Sequence, residues 1–230
     1  MITVIFPAAG QGKRMKAGMN KVFLELGGLP IFIRTLLKFS GCSCIDEMIV
    51  VAAPDEVEDM KQLLSTVEGL KPYKVVSGGS ERQYSVWNGL KAAAADTEIV
   101  LVHDAARPLV SEDTILRTID EARLSGGAVA AVKAKNTIKR CNGDGVVEET
   151  PDRAFLWEIQ TPQTFRMQLL MKANQKAEED GFLGTDDASL VERLGAMVKI
   201  VESDYYNIKI TTPEDLVIAE AFLKAQEGNR

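Results

Sequence analysis

The sequence predicts an α/β fold of three layers: a mostly parallel sheet with helices on both faces. Three observations predict it. Short apolar runs alternate with stretches of helical periodicity along most of the chain. The runs are rich in Val, Ile and Ala and hydrophobic throughout, as strands covered on both faces are. Each is bounded by loop residues, and two of the following loops carry paired or closely spaced glycines.

In chain order, residues 3–7, 48–52, 74–77, 99–103 and 128–132 read as buried strands. Between them, periodicity predicts helices over 30–39, 55–64, 85–95 and 112–124. Ser111, followed by Asp113 and Thr114, marks a helix start, and Gly126-Gly127 its stop. The alternation breaks after Val132. Two β-prone runs, 137–140 and 146–150, flank the turn-rich Cys141-Asn142-Gly143-Asp144-Gly145, which predicts a hairpin. A hairpin leaving an α/β core is either a solvated excursion or an arm that pairs with another subunit; spacing alone slightly favours the excursion. A helix over 166–180 follows, then a shorter one from about Asp187, and strands at 198–201 and 207–210. The last helix, 213–226, has Pro213, Glu214 and Asp215 in its first turn, all favourable there.

The length of 230 residues suits one domain with a sizeable core. Hydrophobic residues at 46% and charged residues at 26% exclude wholesale disorder. A net charge of −6 argues against a broad nucleic-acid or anionic-membrane surface, though a few converging cations can still dominate one cleft. Cys42, Cys44 and Cys141 lack the spacing of a zinc site or a redox pair, which points to reduced thiols and a cytoplasmic location. The single histidine, His103, excludes a multi-histidine metal centre. The apolar start, residues 2–6, is too short for a signal-peptide core or a membrane span.

The strongest chemical signal is the first loop, Pro7-Ala8-Ala9-Gly10-Gln11-Gly12-Lys13-Arg14-Met15, with Lys21 beyond it. Gly10 and Gly12 let backbone N–H groups approach a phosphate, and the cations suit a polyphosphate. The loop is not a Walker A motif, because Ser or Thr does not follow Gly12-Lys13. It is a poor dinucleotide fingerprint, because Met15 occupies the third glycine position. Second, His103-Asp104-Ala105-Ala106-Arg107-Pro108 lies at the carboxyl end of a parallel strand, where open sheets bind ligands. Asp104 suits a magnesium ion or a substrate hydroxyl, and Arg107 a phosphate; the competing reading is a structural Asp–Arg pair. His103 reads as a structural histidine. Third, Gly78-Gly79-Ser80-Glu81-Arg82-Gln83-Tyr84-Ser85 offers backbone groups to a base, with helix capping the default for Ser80 and Ser85. Lys209 and Arg153, taken singly, read as solvated charges.

In order along nearly the whole chain, these motifs resemble the 2-C-methyl-D-erythritol 4-phosphate cytidylyltransferase family. The resemblance rests on Pro7 to Gly10, Gly12, Arg14, Met15, Lys21, Gly78-Gly79, Glu81-Arg82, Ser85 and Val102 to Pro108. Thr161-Pro162-Gln163, Thr185 to Ser189, Asn207-Ile208-Lys209 and Thr212 to Asp215 extend it. It implies one nucleotide-diphospho-sugar transferase-like domain over 1–230, and transfer of CMP from CTP to 2-C-methyl-D-erythritol 4-phosphate with magnesium, in the non-mevalonate isoprenoid pathway. It further implies that Arg14 and Lys21 stabilise the transition state and that Arg153 and Lys209 position the acceptor phosphate. Ala8, Ala9, Gly10, Gly12, Gly79, Ser80 and Ser85 would surround the nucleotide. Asp104, Ala105, Arg107, Thr137 and Thr161 would border the acceptor. The hairpin, at about 134–154, becomes a homodimer arm whose Thr137 and Arg153 serve the partner's site, reversing the preference from spacing. The chain departs from the family's commoner residues at Ser80, Asn136 and Tyr206.

Two rival functions are distinguishable. A ribitol 5-phosphate cytidylyltransferase would resemble this chain in fold, but tends to carry Ala-Gly-Gly in the first loop and Ser-Val before Arg-Pro. Ala8-Ala9-Gly10 and Ala105-Ala106 favour methylerythritol phosphate. A nucleotide-binding regulator without turnover would not need four cations at the phosphates. No nucleic-acid or membrane partner is expected.

Overall fold

The computed structural model describes residues 1–9 and 24–228. Its seven-stranded sheet is built from β1 (Ile2–Pro7), β4 (Glu47–Ala52), β5 (Tyr73–Ser77), β6 (Ile99–Val102), β7 (Gly127–Lys133), β10 (Trp157–Arg166) and β11 (Lys199–Glu202), in the order β11-β7-β10-β6-β1-β4-β5. All neighbours are parallel except β10, which runs antiparallel to both β6 and β7. Two short pairs stand apart: β2 (Glu25–Leu26) with β3 (Leu29–Pro30), and β8 (Arg140–Cys141) with β9 (Val147–Glu149).

The period-two geometry of β1 explains the three layers. Val4 and Phe6 enter one apolar cluster with Phe32, Leu36 and Phe39 of α1 (Ile31–Gly41), Met60 and Leu64 of α2 (Val57–Ser65), and Ile115 and Ile119 of α4 (Glu112–Ser125). Ile5, between them, enters the opposite cluster with Val86 and Leu90 of α3 (Arg82–Ala92), Leu170 and Ala173 of α5 (Met167–Glu179), and Leu190 of α6 (Asp187–Arg193). A third, smaller cluster fixes α7 (Pro213–Gly228) through Leu223 and Ala219 against Leu26, Leu109 and Ile210. At about 25 cal/mol per Å² of buried apolar surface, the two large clusters dominate the stability of the fold.

The expected helix signals hold at α4. Ser111 Oγ accepts from the Thr114 N–H, and Gly126 ends the helix at φ 95°, a left-handed conformation that suits glycine. Three expectations are corrected. The strand β10 was not anticipated, since its run is polar and contains Pro162, which ordinarily demotes a strand to an edge. The sheet accommodates it by a register shift between Ile159 and Gln163. Residues 207–210 form no strand; the segment crosses the end of the sheet, where the Ile210 N–H donates to the Ala106 carbonyl at 2.9 Å. The third helix begins at Arg82 rather than Ser85, with Glu81 at its N-cap, so neither Ser80 nor Ser85 caps it.

The expected hairpin is present, with strands shorter than anticipated. Asn142 Oδ1 accepts from the N–H groups of Asp144 and Val146 and shapes the turn. Residues 135–150 are exposed throughout. Among the described residues, no helix is long and apolar enough to cross a membrane.

Candidate active site

Two adjoining cavities lie at the carboxyl ends of the parallel strands, where successive loops diverge. The first, about 220 Å³, is walled by Pro7, Ala8 and Ala9 after β1, by Gly79 to Arg82 and Ser85 after β5, and by Asp104 to Ala106 after β6, with Lys209. The β1 and β5 loops stay in step at first: the Ala8 N–H donates to the Val51 carbonyl and the Gly78 N–H to the Ala52 carbonyl, each at 2.8 Å. Glycine is then required twice. A Cβ on Gly78 would stand 2.7 Å from Ala9 Cβ and 2.9 Å from Ser85 Oγ, and one on Gly79 would collide with Tyr84. Ser85 Oγ accepts from the Gly79 N–H and donates to the Glu81 carbonyl, both at 3.1 Å, so it pins the glycine loop against the cavity.

The second cavity, about 350 Å³, shares Arg82, Asp104 and Lys209 with the first and adds Arg107, Thr161, Gln163, Thr185 and Asp186. Asp104 is the hub between them. Its Oδ2 lies 3.0 Å from Lys209 Nζ and 3.2 Å from Arg107 Nε, and its Oδ1 lies 3.8 Å from Arg82 Nε. Burial opposes its ionisation, but Lys209, Arg82 and Arg107 more than offset that and hold the carboxyl well below the usual carboxylate range. Arg107 is itself lowered by burial, only partly opposed by Asp104, and donates through Nη1 to the Asn207 carbonyl at 2.6 Å. That bond, with the Asn207 Nδ2 donations to Gln160 Oε1 and the Thr161 carbonyl, clamps the chain leading to Lys209.

His103 is structural, as expected. Its Nε2 donates to the Arg107 carbonyl at 3.0 Å, which assigns the neutral tautomer with Nδ1 as acceptor. Thr161 Oγ1 donates to that Nδ1 at 3.1 Å and accepts from the Asp104 N–H at 3.0 Å. Burial pushes the imidazole down to about 4, so it stays neutral near pH 7. It packs against Phe39, ring centroids 4.7 Å apart, and holds the loop shape without meeting either cavity.

Of the expected site residues, Ala8, Ala9, Gly79, Ser80, Ser85 and Ala105 line the first cavity, Arg107 and Thr161 the second, and Asp104 and Lys209 both. Thr137 and Arg153 line neither. Arg153 sits in a turn of 3-10 helix (Arg153–Phe155) at the base of the hairpin and donates to the Lys135 carbonyl at 2.7 Å. Gly10, Gly12, Arg14 and Lys21 lie outside the described residues. Sequence reasoning gave no role to Arg82 or Gln163, nor to Asp186 and Asp187, although all stand in quoted motifs. Arg82 Nη2 pairs with Asp187 Oδ2 at 2.8 Å. Gln163 donates to Asp186 Oδ2 at 2.8 Å and accepts from the Ala188 N–H at 3.0 Å.

Asp104, which suits a magnesium ion or a substrate hydroxyl by sequence, already faces Lys209, Arg107 and Arg82. A carboxylate already facing three cations is a poor site for a fourth, and magnesium prefers several unshared oxygens. Among the described residues, no group of three or more His, Cys, Asp or Glu side chains is placed to hold a metal ion.

The family model described as IspD, 2-C-methyl-D-erythritol 4-phosphate cytidylyltransferase, matches residues 2–225. Relatives bearing that name are 52% identical in Bacillus velezensis, over 98% of this chain and 97% of the relative, and 48% identical in Caldanaerobacter subterraneus subsp. tengcongensis, over 97% and 99%. The crystal structure of 4-diphosphocytidyl-2C-methyl-D-erythritol synthase from Anaerococcus prevotii superposes with a TM-score of 0.87 at 36% identity, covering 97% of this chain and 96% of that one.

Proposed function

The chain belongs to the 2-C-methyl-D-erythritol 4-phosphate cytidylyltransferase family, and from that premise we propose how its two cavities divide the reaction. The enzyme transfers CMP from CTP to 2-C-methyl-D-erythritol 4-phosphate, giving 4-CDP-2-C-methyl-D-erythritol and pyrophosphate, within the non-mevalonate pathway. The first cavity takes the nucleotide and the second takes the acceptor. The observation that carries this division is their common wall of Asp104, Lys209 and Arg82, a charged junction across which a phosphoryl group can pass.

The acceptor phosphate needs no base, since a monoester with a second pKa near ~6 is already mostly a dianion at pH 7. Its oxygen attacks the α-phosphorus in line, and pyrophosphate leaves with the bonding electron pair. Two anions must approach, so the protein's task is positioning and charge stabilisation. Arg14 and Lys21 act on the α-phosphoryl oxygens. Lys209, held by Asp104, receives the acceptor phosphate; Asp104, ionised and fixed, accepts from an acceptor hydroxyl. Gly79, drawn close to the cavity by Ser85, presents backbone groups to the cytosine edge, and a carbonyl there separates cytosine from uracil. Ser80, Ala8, Ala9, Gly10 and Gly12 complete the nucleotide side. Ala105, Arg107 and Thr161 complete the acceptor side. Magnesium, bound together with the triphosphate, would offset its negative charge.

The 134–154 hairpin serves as a homodimer arm of a single-domain, cytoplasmic enzyme, bringing Thr137 and Arg153 to a second copy's acceptor cavity. Supporting this, the hairpin stands clear of its own core yet carries Ile138, Val146, Val147 and Phe155 in the open, Phe155 at 80% exposure.

Pyrophosphate release with CTP and magnesium, measured in parallel with methylerythritol 4-phosphate and ribitol 5-phosphate, tests the function. Release with the first alone is expected. Release with the second alone would overturn the acceptor, and silence with both would restore the regulator reading.

A further inference from the structure

Asp187 is a buried carboxylate for which the mechanism above has no use. It occupies the first turn of α6 with 1% of its side chain exposed. The helix does not need it as a cap. Asp186 already fills that place, its Oδ1 accepting from the Ser189 N–H at 2.9 Å while Ser189 Oγ accepts from the Asp186 N–H. Burying a second acidic group beside the first costs desolvation and repulsion, which needs a compensating partner. That partner is Arg82, the first residue of α3, 105 positions away in sequence.

The geometry at Arg82 is directional. Its Nη2 is engaged by Asp187 at 2.8 Å, and its Nε faces Asp104 at the longer distance of 3.8 Å. Yet Arg82 lines both cavities, one of only three residues that do so among the described lining residues, with Asp104 and Lys209. A planar guanidinium held at Nη2 by Asp187 and facing Asp104 through Nε is restricted in orientation, so its remaining donors meet a ligand with less rotamer freedom to lose at the moment of reaction.

We propose that Asp187 is a positioning residue for nucleotidyl transfer: from the start of α6 it holds Arg82 by one nitrogen, so that the rest of the guanidinium donates to the phosphoryl group passing between the cavities. This rests on the division of the cavities proposed above. Arg82 is thereby a further cation of the transfer, and Gln163 supports it indirectly by tying the α6 N-terminus to β10 through Asp186 and the Ala188 N–H. The two adjacent aspartates divide the labour: one caps the helix and the other orients an arginine.

A double-mutant cycle read in kcat and KM tests this, using full-length wild type, Arg82→Lys, Asp187→Asn and the double variant. Unfolding midpoints establish that each is folded. Wild type must first release pyrophosphate with CTP and methylerythritol 4-phosphate; its silence would sink the function proposed above and this proposal with it, whereas an active wild type with unaffected variants would sink this proposal alone. Arg82→Lys keeps the charge but loses the fork, and is expected to lower kcat about 100-fold with KM for CTP little changed. Asp187→Asn is expected to lower kcat about 10-fold in the wild-type background and less than about 2-fold in the Arg82→Lys background, because it acts through Arg82. Equal losses in both backgrounds, or a loss of stability with kcat intact in the folded protein, would overturn the proposal. Should Asp187→Asn not fold, Arg82→Lys decides: an unchanged kcat overturns it and a large fall supports it.

Discussion

The end of β6 and the hairpin between β7 and β10 both crowd charged side chains together, under opposite conditions. Around Asp104 the carboxylate and Arg107 are buried, Arg82 and Lys209 are only about a third exposed, and the three cations come from different parts of the chain: α3, the β6 loop and the segment before α7. In the hairpin the ion pairs are local and solvated, Arg140 reaching Glu148 at 3.8 Å and Glu149 at 3.2 Å with all three side chains about half exposed or more. The first arrangement is completed by the chain itself. The second adds little to its own chain, which is what a segment destined for another copy should look like.

The sharpest way to break this contrast is Asp104→Ala. Removing the hub leaves buried Arg107, with Lys209 beside it, without a counter-charge, while Arg82 keeps Asp187. Uncompensated buried charge costs about 3–5 kcal/mol, so denaturant unfolding should show a loss of that order, and activity should fall at least about 100-fold. An exposed pair cannot produce such a loss. A variant that kept its unfolding midpoint would show that the cluster is as solvated as the hairpin.

The hairpin side of the comparison is sharpened by mixing two inactive chains, Lys21→Ala and Arg153→Ala. If Arg153 serves a second copy, a mixed dimer has one site with both cations. Random reassortment then restores about a quarter of wild-type pyrophosphate release, since half of the dimers are mixed and half of their sites are complete. No recovery would return the hairpin to a solvated excursion.

Acidification separates the regions next. In the unfolded chain His103 takes up a proton below about pH 6.5, whereas in the folded protein it does so only near 4. The unfolded state therefore binds more protons between these values, and stability falls as pH drops through that window. The full depression corresponds to about 3 kcal/mol. Asp104 behaves differently: its folded value is depressed, so its contribution persists until pH falls below about 3.9, where the unfolded carboxyl begins to protonate. Urea midpoints at pH 7 and pH 5 should thus differ by a step that His103→Asn removes and that hairpin substitutions leave alone.

How far the fold was legible follows the same division. The strands β1, β4, β6 and β7 were readable because both of their faces are covered by helices, which forces uninterrupted apolar runs. The strand β10 was not, because its interior residues answer to the site. Gln160, Thr161 and Gln163 are buried by partners on distant segments, and no local pattern reports a hydrogen bond to His103 or Asp186. Residues 207–210 misled in the opposite sense: Asn207 and Ile210 are buried by the clamp on the β6 loop, not by strand pairing. At the site, the Gly78-Gly79 loop was legible from chemistry, while the roles of the cations rested on family resemblance. Arg82 and Asp187 were silent because an arginine after a glycine loop and an acidic pair before a helix are common start signals, and only the fold brings the two together.

The smallest expected effect is also the most discriminating for the hairpin. Arg140→Ala removes both ion pairs that link β8 to β9. Exposed pairs gain little over hydration and cost side-chain entropy, so the unfolding free energy from urea titration should change by no more than about 0.5 kcal/mol. The hairpin keeps the β8–β9 backbone pairing, the Asn142 turn, the left-handed Gly145 at φ 80° and Lys139 donating to Thr150 at 2.7 Å, none of which depends on the Arg140 side chain. The shape offered to a second copy would therefore survive, and sedimentation should find the same assembly as in wild type. A loss of about 2 kcal/mol or more, the scale of leaving a buried polar group unpaired, would mean that Arg140 is desolvated in solution. That result would place β8 and β9 inside an interface and move the hairpin's charges into the same regime as those around Asp104.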